Sequence, residues 1–137
     1  MKLRASFCDP FSADILQLGE FDGEKIIETF ESIDWPDYLK RMMSAKEGEI
    51  HYSPSLEVEK TEIRHGLSIS AVGEPENYEF YIFYCRPKKV KSFFGLREKV
   101  TDKYLTDVTG QTRQDVIDCL NALIENNTQF LEDKMGG

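Results

Sequence analysis

Three cysteines (Cys8, Cys85, Cys119) and two histidines (His51, His65) are the side chains best suited to nucleophilic, acid–base or metal chemistry. Their spacing works against all three. There is no C-x-x-C pair, and the histidines are fourteen residues apart with no third ligand placed beside them. No metal site and no cofactor are therefore expected. Cys85 lies in an aromatic run and Cys119 beside an apolar helical stripe, so both read as small core fillers. His51 falls on the polar phase of a strand and His65 in a turn, which makes both surface residues. A pair such as Cys85 with His51 remains the one nucleophilic arrangement, because such pairs assemble in space rather than in sequence. Carboxylate acid–base work needs two groups in unequal environments. Here every Asp and Glu falls on a polar phase or in a turn, and no pair is marked for burial. G-x-S-x-G, H-E-x-x-H and glycine-rich phosphate loops are absent. No catalytic residue is assigned, and the balance leans away from an enzyme.

Recognition chemistry is better represented. The 137 residues carry 17 Lys and Arg against 25 Asp and Glu, a net charge of −8. The charge is unevenly spread. Arg86, Lys88, Lys89, Lys91, Arg97, Lys99 and Lys103 crowd segment 86–103, opposed only by Glu98 and Asp102, with Phe93-Phe94 in the middle. The rest of the chain is correspondingly more acidic. Glu20, Asp22, Glu24, Glu28, Glu31, Asp34 and Asp37 crowd an early helical region, and Glu57, Glu59 and Glu62 extend the polar phase of a strand. An acidic body opposes long-range attraction to a polyanion, so nucleic acid is not the expected ligand. The same body steers a basic protein partner towards itself. The basic segment reads first as a solvated loop anchored by its phenylalanines. Aromatic and Arg side chains are also favoured anchors of protein contacts.

The elements that position these groups follow from the periodicity. Length and a 40% hydrophobic fraction fit a single domain spanning 1–137. No apolar run approaches the roughly 18 residues of a membrane span. Cys8-Asp9-Pro10 interrupts the N-terminus before a signal-peptide core forms, so a soluble cytoplasmic domain is expected. Leu3, Ala5 and Phe7 share one phase of a short strand, while 11–21 reads as a loop or short helix. Ile26, Ile27, Phe30 and Ile33 form one helical face behind an Asp22 cap. A second helix starts at Asp34-Trp35-Pro36 and ends near Gly48. Ile50, Tyr52, Pro54, Leu56 and Val58 then alternate with polar residues, the signature of a half-buried strand, with Pro54 marking an edge or bulge. Leu67 to Gly73 is the next strand. Tyr78 to Cys85 is apolar on both phases, which requires cover on both faces, from the chain itself or from a partner. Tyr104 to Val108 marks a further strand. Thr112 and Asp115 form a capping box before a helix carrying Val116, Ile117, Leu120, Leu123 and Ile124. Phe130-Leu131 packs back on the core, and Gly136-Gly137 reads as a frayed end. The expected fold is α+β. An antiparallel meander of about four to five strands packs helices on one face, with a helical region before it and a helix after it.

Tyr52-Ser53-Pro54-Ser55-Leu56, Leu67-Ser68-Ile69-Ser70, Tyr81-Ile82-Phe83-Tyr84, Arg86-Pro87 and the Gln111–Ile124 helix together resemble small bacterial immunity proteins of polymorphic toxin systems. The resemblance covers about 49–125. It implies an α+β domain that neutralises a toxin made by the same cell lineage, and it transfers no site residue. The expected function is thus a non-enzymatic protein-binding module whose partner is a protein, such as a basic toxin. The residues expected to carry binding are Glu57, Glu59, Tyr81, Phe83, Arg86 and Phe93. Two alternatives stand beside it. One is a ligand-binding or enzymatic domain with a pocket between sheet and helices, lined by Trp35, Tyr38, Tyr52, Tyr81 and Cys85. The other is a homodimer subunit that buries its two-faced aromatic strand.

Overall fold

The computed structural model describes residues 3–92 and 97–136, with the side chains of 89–92, 97–100 and 102 outside that description. In chain order the elements are β1 (Leu3–Cys8), β2 (Leu16–Phe21), α1 (Gly23–Ser32), α2 (Trp35–Met43), β3 (Ser55–Lys60), β4 (His65–Glu74), β5 (Asn77–Ser92), β6 (Arg97–Gln111), α3 (Arg113–Ile124) and α4 (Thr128–Met135). The strands form one sheet in the order β2-β1-β3-β4-β5-β6, every neighbouring pair antiparallel. The α+β class and the one-sided helical cover agree with the sequence reading.

Six strands form where four to five are expected, and the extra one is β2. Its alternation is hidden by a bulge: Ala5 pairs with Gly19 but Ser6 with Gln17, so Leu18 is inserted, and Gly19 takes φ +115°. The segment 50–54 is a second correction. Its alternating pattern imitates a strand, yet β3 starts only at Ser55 and Ile50 is 41% exposed. Pro54 has no N–H for a ladder. The segment is tied instead to the β1–β2 loop, through His51 N–H to Pro10 O (2.7 Å) and Tyr52 hydroxyl to Ala13 O (2.9 Å). The short α4 is a third. Asn127 caps it, and Leu131 is buried while Phe130 is not.

Helix starts follow their caps. Asp22 accepts from Lys25 N–H at 2.9 Å and Asp34 from Asp37 N–H at 3.2 Å, while Thr112 and Asp115 cap α3 reciprocally. The apolar phases of the strands face the helices: Leu3, Ala5 and Phe7; Leu56 and Val58; Leu67, Ile69 and Ala71; Phe80, Ile82 and Tyr84 are all buried. Ile26, Phe30, Trp35, Leu39, Val116, Leu120, Leu123 and Leu131 meet them from the helices. Trp35 is fully buried, with ring centroids 6.2 Å from Phe7, 5.9 Å from Phe30 and 5.4 Å from Phe80. Full burial of such side chains contributes about 1.5–3 kcal/mol each.

This packing fills the space where a pocket between sheet and helices was expected. Tyr81 and Cys85 lie on the opposite face of β5 from Trp35, so the five residues assigned to that pocket do not converge. The doubly apolar strand is likewise covered by helices on one face; among the described residues no helix covers the other face of the sheet. No helix among the described residues is long and apolar enough to cross a membrane.

Candidate recognition site on the open sheet face

Strand pairing arranges the uncovered face in transverse rows, because residues opposite each other in antiparallel strands share a face. One row runs Glu20, Arg4, Glu59, Gly66, Cys85, Leu105. The next runs Gln17, Ser6, Glu57, Ser68, Phe83, Asp107. A third, Cys8, Ser55, Ser70, Tyr81, is buried apart from half-buried Tyr81 and lies outside the trough. Along the first two rows β4 presents only Gly66 and Ser68, which leaves a low floor between taller flanks. A trough of about 750 Å³ results, lined among others by Arg4, Ser6, Glu57, Glu59, Ser68, Phe83, Cys85, Lys103 and Leu105. Its volume falls in the range of small-molecule sites, but it lies open along the sheet and its lining is mostly polar, unlike the enclosed apolar pockets that bury a ligand.

Charges in the trough are mixed. Arg4 Nη2 donates to Glu59 Oε1 at 2.5 Å, an exposed pair. Ser68 Oγ donates to Glu57 Oε1 at 2.9 Å. Burial pushes the Glu57 carboxyl up, partly offset by the Ser68 hydrogen bond. Burial, with Glu57 nearby, also raises the Cys8 thiol, so Cys8 is kept as an unreactive thiol. Lys103 stands exposed on the rim, and Leu105 is 57% exposed.

The residues expected to carry binding divide three ways. Glu57, Glu59, Tyr81 and Phe83 share the open face. Phe93 lies outside the described residues. Arg86 points the other way and is 1% exposed. It belongs to the inward phase of Phe80, Ile82 and Tyr84, so it cannot touch a partner at the surface. All of its N–H groups find acceptors: Nε and Nη2 meet Glu132 Oε1 and Oε2 at 2.9 and 2.8 Å, Nη1 meets Tyr84 O and Thr106 Oγ1 at 3.1 and 2.6 Å, and Nη2 also reaches Gly136 O at 3.3 Å. Its guanidinium stacks on Tyr84 and Tyr104. Gly136, expected to fray, is therefore engaged through its carbonyl. Lys88 also binds Glu132, at 2.9 Å. The basic segment is an extension of the β5–β6 ladder beyond Cys85, where β4 no longer pairs. Two of its first cations hold α4.

Of the cysteine and histidine readings, Cys119 as a core residue and His51 as a surface residue agree with the structure, while Cys85 and His65 are revised. Cys119 is a core residue whose thiol burial pushes up to about 12. Cys85 is half-buried in the trough rather than in the core. His51 is exposed and does not line the trough, so Cys85 and His51 are not brought together there. His65 begins β4, half-buried, with Nδ1 3.0 Å from the Tyr84 hydroxyl. Burial and the adjacent Arg86 lower its pKa, and burial pushes Tyr84 up to about 12. The Tyr84 hydroxyl and the His65 Nδ1 share this bond, whose direction is set by the imidazole tautomer. No group of three or more His, Cys, Asp or Glu able to hold a metal ion occurs among the described residues. Comparison with protein-family models, curated proteins and solved structures finds no match.

Proposed function

We propose that this chain is a protein-binding module that recognises its partner with the open face of its sheet, acting as an immunity-type inhibitor of a toxin. One observation carries the reading. Phe83 and Leu105 line a trough floored by Gly66 and Ser68, on a sheet face that no helix covers among the described residues, and Tyr81 lies further along the same face. An aromatic wall, a mixed polar rim and a recess that admits a protruding side chain or loop are the components of a protein interface. Arg86, Glu132, Tyr84 and His65 are engaged with one another inside the molecule rather than in the trough. This favours recognition over bond-making.

The test is capture of the partner from the chain's own cells, followed by expression of the captured protein alone and together with this chain. The reading expects a captured protein that is toxic alone and harmless in the presence of this chain. A captured protein that is harmless alone overturns the inhibitor reading. Turnover of a metabolite by the purified chain overturns the binding-module reading itself.

A further inference from the structure

Glu57 lines the trough, and among the described residues no ion pair engages its carboxylate. Ser68 is its one hydrogen-bond donor among the described residues, whereas a carboxylate accepts about four hydrogen bonds. The neighbouring Glu59 is already matched by Arg4. Phe83, on the far side of Ser68 from Glu57, forms an apolar wall of the same trough, and Gly66 and Ser68 leave depth between them for an incoming chain. Lys103 and Arg64 stand on the lining of the same trough.

Building on the proposed recognition role of this face, we infer that the trough takes a single basic side chain of the partner, its alkyl stem along Phe83 and its head on Glu57, presented by a segment whose flanking residues are neutral or acidic. Arg and Lys carry long apolar stems that cover an aromatic wall while the charged head reaches a carboxylate. A partly desolvated carboxylate gains more from a cation than an exposed one does. The flanks follow from exposed Lys103: a polybasic segment would meet like charge there, and a phosphate or acidic anchor would meet Glu57.

The probes are pentapeptides of sequence Ser-Asp-Xaa-Asp-Ser, with Arg, citrulline or Glu at the centre, and pentaarginine. Each is titrated into isotopically labelled full-length chain and followed by NMR. The arginine peptide is expected to move the amide resonances of Ser68, Phe83 and Cys85 and to lower the Glu57 titration midpoint. It should bind at least about tenfold more tightly than the citrulline peptide. Glu57→Gln, nearly isosteric and checked by its amide spectrum, should abolish that preference. Equal binding of arginine and citrulline peptides, preference for the glutamate peptide or for pentaarginine, or no shift up to tens of millimolar overturns the inference. Partner capture separates this from the broader reading. If Ser68→Trp releases the captured partner while Glu57→Gln retains it, the face stands and the basic anchor falls. If Ser68→Trp retains it, the face itself falls.

Discussion

At the residue scale, the most consequential charge is Arg86, whose guanidinium is 1% exposed against a Glu132 side chain that is 24% exposed. A buried pair is weak evidence of net stability, but removing one partner strands the other. Glu132→Gln should therefore cost about 3 kcal/mol, read from urea unfolding. Arg4→Ala removes an ion pair whose members are 56% and 36% exposed and should cost under about 1 kcal/mol. Comparable losses would contradict the burial contrast. Two titrations belong to the same cluster. Burial, then Arg86, lowers His65, with Glu132 opposing and Lys60 adding. Its contribution is thus present above about pH 6.5 and lost as pH falls through its depressed folded value. The Arg86 hydrogen bond holds Glu132 below the usual carboxylate range. Its contribution is present above about pH 4.3 and lost further into acid. His65→Asn keeps an acceptor near the Nδ1 position and should flatten the first window of the stability profile, leaving the second. An unchanged slope below pH 6.5 would count against a neutral His65.

At the element scale, the C-terminus of α3 depends on a residue far away in sequence. Lys60 Nζ donates to the carbonyls of Leu123 and Ile124 at 2.9 and 2.7 Å and to Asn126 Oδ1 at 2.8 Å, satisfying the end of a helix whose last turn holds no basic residue. Lys60→Met should cost about 1–3 kcal/mol through unpaired carbonyls, with exchange protection lost first in the last turn of α3. Uniform loss of protection would contradict that assignment. The β4–β5 hairpin has its own vulnerable point. Gly73 takes φ +129°, and a Cβ there would lie 2.9 Å from Asn77 O. Gly73→Ala is therefore expected to lower the thermal midpoint, whereas no change would show that the turn can shift. Elements with intact alternation or clear caps were legible in the sequence: β1, β4, α1, α2 and α3. Those shaped by an inserted residue or a non-local tie were not. Leu18 broke the period of β2, and the bonds from His51 and Tyr52 to the β1–β2 loop diverted 50–54 from the strand its pattern imitated. Parity carried part of the site. Tyr81 and Phe83 alternate with Phe80, Ile82 and Tyr84 and so face away from the core, but the same parity places Arg86 inward, where its charge had marked it as a surface residue. Lys60 follows Leu56 and Val58 on the inward phase in the same manner. The trough itself was not legible, because it arises from Gly66 and Ser68 standing beside the neighbours that strand order gives them.

At the scale of the whole molecule, the sheet divides the chain into two chemistries. One side holds the aromatic core, the helices and the internal ion cluster. The other holds a polar trough with an aromatic flank. The carboxylates of the early helices, such as Glu24, Glu28 and Glu31, belong to the helical layer, so they contribute to the long-range field of a −8 molecule but not to close contact in the trough. Association with a partner drawn by that field should slow as salt rises, while dissociation should depend on the open face. Filling the trough separates these contributions. Ser68→Trp puts a large side chain over the floor, whereas Glu28→Trp adds the same bulk to an exposed position on α1. With the captured partner in calorimetric titration, and both variants matched to wild type in their unfolding profiles, Ser68→Trp should weaken binding at least about a hundredfold and Glu28→Trp less than about threefold. Equal affinity of wild type and Ser68→Trp, or loss confined to Glu28→Trp, would place recognition away from the open face and contradict the proposal.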